Sequence, residues 1–251
     1  MRSFTDEGIV LRRIDYADCD RILTVLTREH GKVGVIARGV RKANSRLAAF
    51  TDLFSVSRMH LARGRGELLV LTQAEVIAQV DGRKPQRAAC AAVIVELTDR
   101  VLESHHPDPE IFDLVAAALV ASGNPARDPR TGLVWFVQRM IDRLGYAPQL
   151  RACATCGEDL NAVETGFSAG GGGLLCPRCL RADLGAITCS VRVIKVLRVA
   201  AAADAETWAR LRLDAATLTT LEVIAERELE QHLDRRLRSW AVLRALEAPR
   251  V

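Results

Sequence analysis

Four of the seven cysteines in this 251-residue chain form two pairs, Cys153-Ala154-Thr155-Cys156 and Cys176-Pro177-Arg178-Cys179, with nineteen residues between them. Two thiolates three positions apart on a tight turn can occupy one edge of a tetrahedron. A second such knuckle supplies the opposite edge at ~2.3 Å from a zinc ion. Gly157, directly after the first pair, and Pro177, inside the second, suit those turns. Few apolar residues lie between the pairs: Leu160, Val163, Phe167, Leu174 and Leu175. So small a segment cannot hold itself by burial alone, whereas structural zinc in peptides contributes roughly 10–16 kcal/mol of apparent binding energy. Four cysteines leave no coordination position open, so the expectation is one structural zinc per chain, with no catalytic role. Redox thiols, an iron–sulfur cluster and a decayed, empty site are the alternatives. Arg151, Arg178 and Arg181 stand near enough in sequence to offset the anionic centre. Of the other cysteines, Cys90 reads as a core residue of an apolar helix and Cys189 as a rival ligand.

The second chemical signal is cationic. Lys32, Arg38, Arg41, Lys42, Arg46, Arg58, Arg63 and Arg65 fall between positions 32 and 65, where Asp52 is the only acid, although the whole chain carries a net charge of only +4. Such a stretch is either a solvated basic face or a site that steers a polyanion. On the second view Arg38, Arg41, Lys42 and Arg46 are the chief phosphate contacts, in a loop after a strand. Lys32, Arg63 and Arg65 are secondary candidates.

Other motifs carry less. Gly166-Phe167-Ser168-Ala169-Gly170 matches a nucleophile elbow, but that motif needs a strand before it and a helix after it. Here it lies between the cysteine pairs and runs into Gly170–Gly173, which reads as a flexible ribbon loop. No G-x-x-x-x-G-K-[ST] sequence exists. Asp18 and Asp20 read as turn residues, and His105-His106 as a helix–helix connection. With no catalytic constellation in view, the expectation is a protein that is not an enzyme.

The elements that must position these groups change character near residue 80. Gly8–Ile14, Asp20–Thr27, Lys32–Arg38, Phe54–His60 and Glu67–Thr72 are short β-branched runs separated by turn residues. Five strands in so short a span suit a closed barrel of OB-fold type, which leaves no reactive edge. Helical spacing follows over Arg87–Ser104, Pro109–Ser122 and Pro129–Leu144, where Gly145 should end the helix. It resumes over Ser190–Ala203 and from Asp214 to about Leu246. The expected architecture is therefore α+β: an OB-fold barrel at 1–80, a helical domain at 81–149 and 182–251, and an inserted four-cysteine zinc module at 150–181. No apolar run is long enough to span a membrane, and acids at Asp6 and Glu7 occupy the place where a secretory signal would turn apolar, so a cytoplasmic protein is expected.

Several of these stretches together resemble one family, the bacterial RecO proteins. They are Gly8-Ile9-Val10-Leu11-Arg12, Tyr16, Asp20, Leu26 to Lys32, Ala37 to Lys42 and Ser45-Arg46 in the barrel region. Further on come Glu96-Leu97, Pro109 to Leu114, Leu144 to Leu150, Cys153, Cys156-Gly157, Gly166-Phe167-Ser168 and Cys176 to Cys179. The likeness spans about residues 7–181. Asp18 stands where that family often has glutamate, and Asn44 where it usually has another basic residue. The resemblance implies a mediator of recombinational DNA repair that is associated with the nucleoid and has no catalytic site. It implies binding to single- and double-stranded DNA, annealing of complementary strands, and loading of RecA, together with RecR, onto strands covered by single-strand-binding protein. A zinc-ribbon protein–protein adaptor without direct DNA binding is the alternative. Aromatic residues are scarce in the barrel region (Phe4, Tyr16, Phe50, Phe54), so binding should lean on phosphates.

Overall fold

A computed structural model describes residues 3–64, 66–161, 165–233 and 236–247. In chain order the elements are β1 (Ser3–Tyr16), β2 (Asp20–Thr27), β3 (Gly31–Ala37), β4 (Ser55–Arg63), β5 (Leu69–Gln79), α1 (Pro85–Val101), α2 (Pro109–Gly123) and α3 (Arg130–Arg143). Then come β6 (Thr165–Ser168), β7 (Gly173–Leu175), α4 (Pro177–Leu180), β8 (Ile187–Cys189), α5 (Val191–Ala202), α6 (Ala205–Arg210), α7 (Ala215–His232) and α8 (Arg238–Glu247). Packing divides the chain into two compact units, residues 1–129 with 237–251, and residues 130–236.

In the first unit the five strands close into a barrel in the order β1-β2-β3-β5-β4, with β4 returning to β1. This is the expected OB-type barrel. All pairings are antiparallel except β3 with β5, which run parallel over only Val35↔Leu69 and Ile36↔Val70. The interior is filled by Val10, Leu23, Val25, Val33, Val35, Met59, Leu61 and Leu71, all inward positions of alternating strands. β1 is longer than its sequence suggests and carries a bulge at Leu11, between the pairs Val10↔Val25 and Arg12↔Thr24. Gly31, at φ +68°, lies so close to the His106 backbone that a Cβ there would come within 2.5 Å of its carbonyl oxygen. That approach lets the segment around Ser104 bridge to Lys32 beside β3.

Helix α1 packs on β1, α2 and α8. Glu96 of α1 serves as a remote cap for α8, accepting from the Arg238 and Ser239 amides at 3.0 and 2.8 Å and from Ser239 Oγ at 2.6 Å. Burial raises the Glu96 pKa, but these hydrogen bonds outweigh it and hold the carboxyl below its usual range.

The second unit joins α3, α5 and α7 around Val134, Phe136, Val137, Ile194, Leu197, Leu221 and Ile224. Gly145 ends α3 as expected, at φ +86°, with Tyr146 N donating to Ile141 O at 3.0 Å to close the turn. Serine or aspartate caps α5, α6 and α7 through Ser190, Asp204 and Asp214. The stretch expected as one helix from Asp214 onward is two, because the backbone turns extended at Leu233. The sequence PRCL inside the module forms the short α4, and β6 pairs with both β7 and β8 in a three-stranded ribbon.

Within this unit Glu228 is buried beside Gln138, whose amide donates to it. Burial raises its pKa to about 8, against the smaller opposing effect of that hydrogen bond. A carboxyl with a raised folded pKa gives stability that is full below its unfolded pKa of ~4.3 and is lost as pH rises through about 8. Glu228→Gln keeps an acceptor for Gln138 and removes the titration. It should stabilise the protein at pH 8 by roughly 2–4 kcal/mol while changing little near pH 5, as read from denaturant unfolding at both pH values.

Candidate functional site

The cysteines converge through local backbone chemistry. At the first knuckle the Gly157 amide donates to Cys153 O at 2.9 Å, and Gly157 sits at φ +76°, a conformation other residues resist. At the second, Cys176 caps α4, and the Cys179 amide points at the Cys176 sulfur at 3.5 Å. Ribbon pairing brings the two together: Ala154 N donates to Leu174 O at 2.8 Å, and Gly166↔Leu175 sets the strand that leads into Cys176. Gly173 has a special place here, because a Cβ on it would meet Gln149 O at 2.3 Å. Only the last glycine of the run, Gly173, is such a close-packed crossing; Gly170, Gly171 and Gly172 form an exposed turn before it.

As a result the four sulfurs of Cys153, Cys156, Cys176 and Cys179 all lie within 4.8 Å of one another, with Cys156 and Cys176 3.8 Å apart. A tetrahedron with ~2.3 Å metal–sulfur bonds has edges of ~3.8 Å, so the set fits a four-coordinate ion. Burial alone would raise the Cys153 thiol, yet amides of Cys176, Cys156 and Thr155 outweigh it and bring it down to about 6. The Cys179 thiol, hydrogen-bonded to Cys176, desolvated and crowded by Cys156 and Cys153, is pushed up to about 12. Four sulfurs so close cannot all ionise without a cation among them. Arg178 supplies part of the balance by donating to the Cys156 and Cys179 sulfurs, which raises its own pKa. Arg151 and Arg181, also expected to help, are exposed. Cys189 is fully buried on β8, donates to Ile187 O at 3.3 Å and has a thiol pushed up to about 12 by burial; it is outside the cluster. Cys90 is buried in α1.

In the other unit, the basic loop leaves β3 at Arg38 and is tied to the β1–β2 turn. Asp20 Oδ1 accepts from the Gly39 amide at 2.7 Å, Cys19 O accepts from the Arg41 amide at 2.9 Å, and Val40 is buried against the barrel core. Asp20 is therefore a loop anchor. Arg38, Arg41, Lys42 and Arg46 are exposed. Arg41 reaches Asp15 at 3.4 Å, whereas among the described residues no carboxylate pairs with Arg38, Lys42 or Arg46. Lys32 is elsewhere: its ammonium donates to Asp99 O at 2.6 Å and pairs with the Asp99 carboxylate at 3.3 Å, leaving the side chain 13% exposed. Arg63 is exposed at the end of β4, Arg58 pairs with Glu7 and Glu75, and Arg65 lies outside the described residues.

Two family models cover nearly the whole chain, "Recombination protein O N terminal" over residues 1–80 and "Recombination protein O C terminal" over residues 83–241. The chain belongs to the RecO family. Proteins named DNA repair protein RecO are similar to it along most of their length. That of Halalkalibacterium halodurans is 32% identical over 96% of this chain and 94% of its own. That of Roseiflexus is 34% identical over 96% and 85%, and that of Symbiobacterium thermophilum 31% identical over the full length of both.

Sequence reasoning missed two features of these sites. The tie from Asp20 to the basic loop spans nineteen residues and depends on barrel register. The Ser168 hydroxyl of the apparent nucleophile elbow donates to Asp183 at 2.6 Å and accepts from the Gly171 amide at 3.0 Å, so it stitches the ribbon turn. Among the described residues no helix is long and apolar enough to cross a membrane. If the four-sulfur cluster is the metal site, serine at both Cys153 and Cys176 should remove the bound ion, whereas Cys189→Ser should leave it. Metal analysis of the two purified variants separates these outcomes, and equal loss in both would make Cys189 a ligand.

Proposed function

We propose that this protein is a non-enzymatic mediator of recombinational DNA repair that acts in the cytoplasm on the nucleoid. In this reading it holds single- and double-stranded DNA, anneals complementary strands and, with RecR, helps load RecA onto strands covered by single-strand-binding protein. The observation that carries the reading is the basic loop of the barrel. Arg38, Lys42 and Arg46 project from a loop anchored by Asp20 and Val40, and among the described residues no carboxylate neutralises them. Family membership and the names of the relatives support the repair role. The barrel at 1–80 is the DNA-binding part, with Arg38, Arg41, Lys42 and Arg46 as chief contacts and Arg63 and Arg65 as secondary ones. Lys32, held by Asp99, would need to exchange that partner for a phosphate. The helical parts at 81–149 and 182–251 are left for protein partners.

The ion of the 150–181 module is zinc, one per chain, held by Cys153, Cys156, Cys176 and Cys179. Four sulfur donors with no open position favour that metal and a structural role. Bound there, zinc supplies cohesion to a segment with little core of its own, and Arg178 offsets its anionic shell.

Annealing follows from the same surface. Two strands repel through their phosphates and pair once that repulsion is screened and the strands are held together. Each phosphate contact contributes a salt slope of about 0.7 on single strands. Replacing Arg41, Lys42 and Arg46 together should weaken binding alike on all sequences and flatten the slope by about two units. An unchanged slope would place the contacts elsewhere, for instance on Arg236 and Arg238 together with Arg235, which lies outside the described residues. Pairing of two labelled oligonucleotides, bare or covered by single-strand-binding protein, should persist with chelator present and ATP absent and fall as salt rises. An absolute need for ATP or shortened oligonucleotides would overturn the mechanism, and absence of any DNA binding would leave the adaptor reading.

A further inference from the structure

The four sulfurs of the cysteine cluster do not share one environment. Cys153 and Cys176 are each 2% exposed and Cys179 is half-buried, whereas Cys156 lies in the exposed stretch 155–159 at the tip of the first knuckle. A solute arriving from water therefore meets the Cys156 sulfur first. Arg178, itself exposed, donates a hydrogen bond to that sulfur and sets a positive charge beside it. The Cys176 sulfur, on the other knuckle, is 3.8 Å away. Reactive thiolates sit in accessible, electropositive surroundings, and those that respond to oxidants have a second cysteine poised to follow. Cys156 meets each of these conditions. Cys90 and Cys189 are fully buried, out of reach of such a reagent.

We propose that Cys156 is a site of reversible oxidation by hydroperoxides, resolved by Cys176 as a disulfide between the two knuckles. The Cys156 thiolate attacks one peroxide oxygen. An S–O bond forms, the O–O bond breaks, and the departing oxygen takes a proton from solvent and leaves as an alcohol or as water. The product is a sulfenic acid. The Cys176 thiolate then attacks the Cys156 sulfur; the S–S bond forms, and hydroxide leaves and is protonated to water. Two thiolates have given up two electrons, and one hydroperoxide has accepted them. Closing from 3.8 Å to an S–S bond of ~2.05 Å needs only a small shift of the exposed knuckle. Cys153 and Cys179 remain, too few for a four-sulfur site, so the ion is lost while the disulfide still joins the knuckles. A thiol reductant returns both sulfurs to the site. This rests on the zinc reading above and adds a modification to it.

Zinc-loaded full-length protein, its metal measured beforehand, is treated with hydrogen peroxide, and released zinc is followed with a chromogenic chelator. About one zinc per chain should appear as about one equivalent of peroxide is consumed. Dimedone should trap the sulfenic acid on Cys156, and peptide mapping should find Cys156 joined to Cys176. Dithiothreitol with added zinc should reverse the change. Cys156→His keeps a zinc ligand without the thiol and should hold the ion about tenfold longer under the same peroxide. Cys153→His leaves Cys156 in place and should release the ion as quickly as wild type. Zinc that stays bound under peroxide, a disulfide confined to one knuckle, or equal release from the two variants would overturn the proposal while leaving the zinc site intact. The peptide map of the wild-type protein decides the matter even where neither variant loads metal. Protein that carries no zinc before oxidant is added would instead sink the underlying zinc reading.

Discussion

The shortest pairing in the barrel governs the rest of its unit. β3 and β5 meet over two residue pairs, and only that parallel seam turns an open five-stranded sheet into a closed one. Closure fixes which side of every strand faces inward, because each strand now has two neighbours and a slip of one residue would send its core side chains into water. The fixed register then decides everything of functional interest nearby. It sets Asp20 opposite the start of the β3–β4 connection, so that one carboxylate can hold the Gly39 amide. The parallel seam also obliges the chain to cross the barrel between β3 and β4, and that crossing is the basic loop.

The other unit solves a different problem. Its three main helices have an ordinary apolar core, but the ribbon between α3 and α5 contributes little to it beyond Leu160, Phe167, Leu174 and Leu175. Backbone crossings at Gly173 and the amide contacts of the knuckles carry the four sulfurs to within 4.8 Å. Those same contacts split the thiols, lowering Cys153 and raising Cys179. A cluster arranged this way is in conflict with itself until a cation enters, which is the usual reason that such modules fold with their metal.

Much of this was legible beforehand, and the failures have identifiable causes. The cysteine pairs announce themselves because ligand spacing is a local property. So do the five strands and the stop at Gly145, which depend on β-branching and on a residue that accepts φ +86°. What escaped was phase. Plain alternation along β1 places Ile14 on the same side as Val10, in the core. The bulge at Leu11 inserts one extra residue and reverses the alternation, so Val10 is fully buried and Ile14 more than half exposed. No local signal in Val10-Leu11-Arg12 marks the bulge; it exists because β2 offers one partner fewer. Lys32 escaped for a related reason. Its charge is visible in the sequence, but Asp99 reaches it from α1 across sixty-seven residues.

The scarcity of aromatic residues in the barrel acquires a meaning on the proposed DNA-binding reading. A surface meant to store single strands would profit from strong stacking, at ~1–3 kcal/mol per base. A surface that hands strands to a complement needs the opposite, because every base held by the protein must leave it before it can pair. On the proposed reading, the arginines of the solvent-facing loop would hold phosphates, which pairing does not need to displace, with no aromatic platform to retain the bases. On that reading, charge would keep the strand in place while its bases come and go. On the proposed reading, a grip through phosphates is what permits one protein to bind a strand and still release its bases to a partner strand.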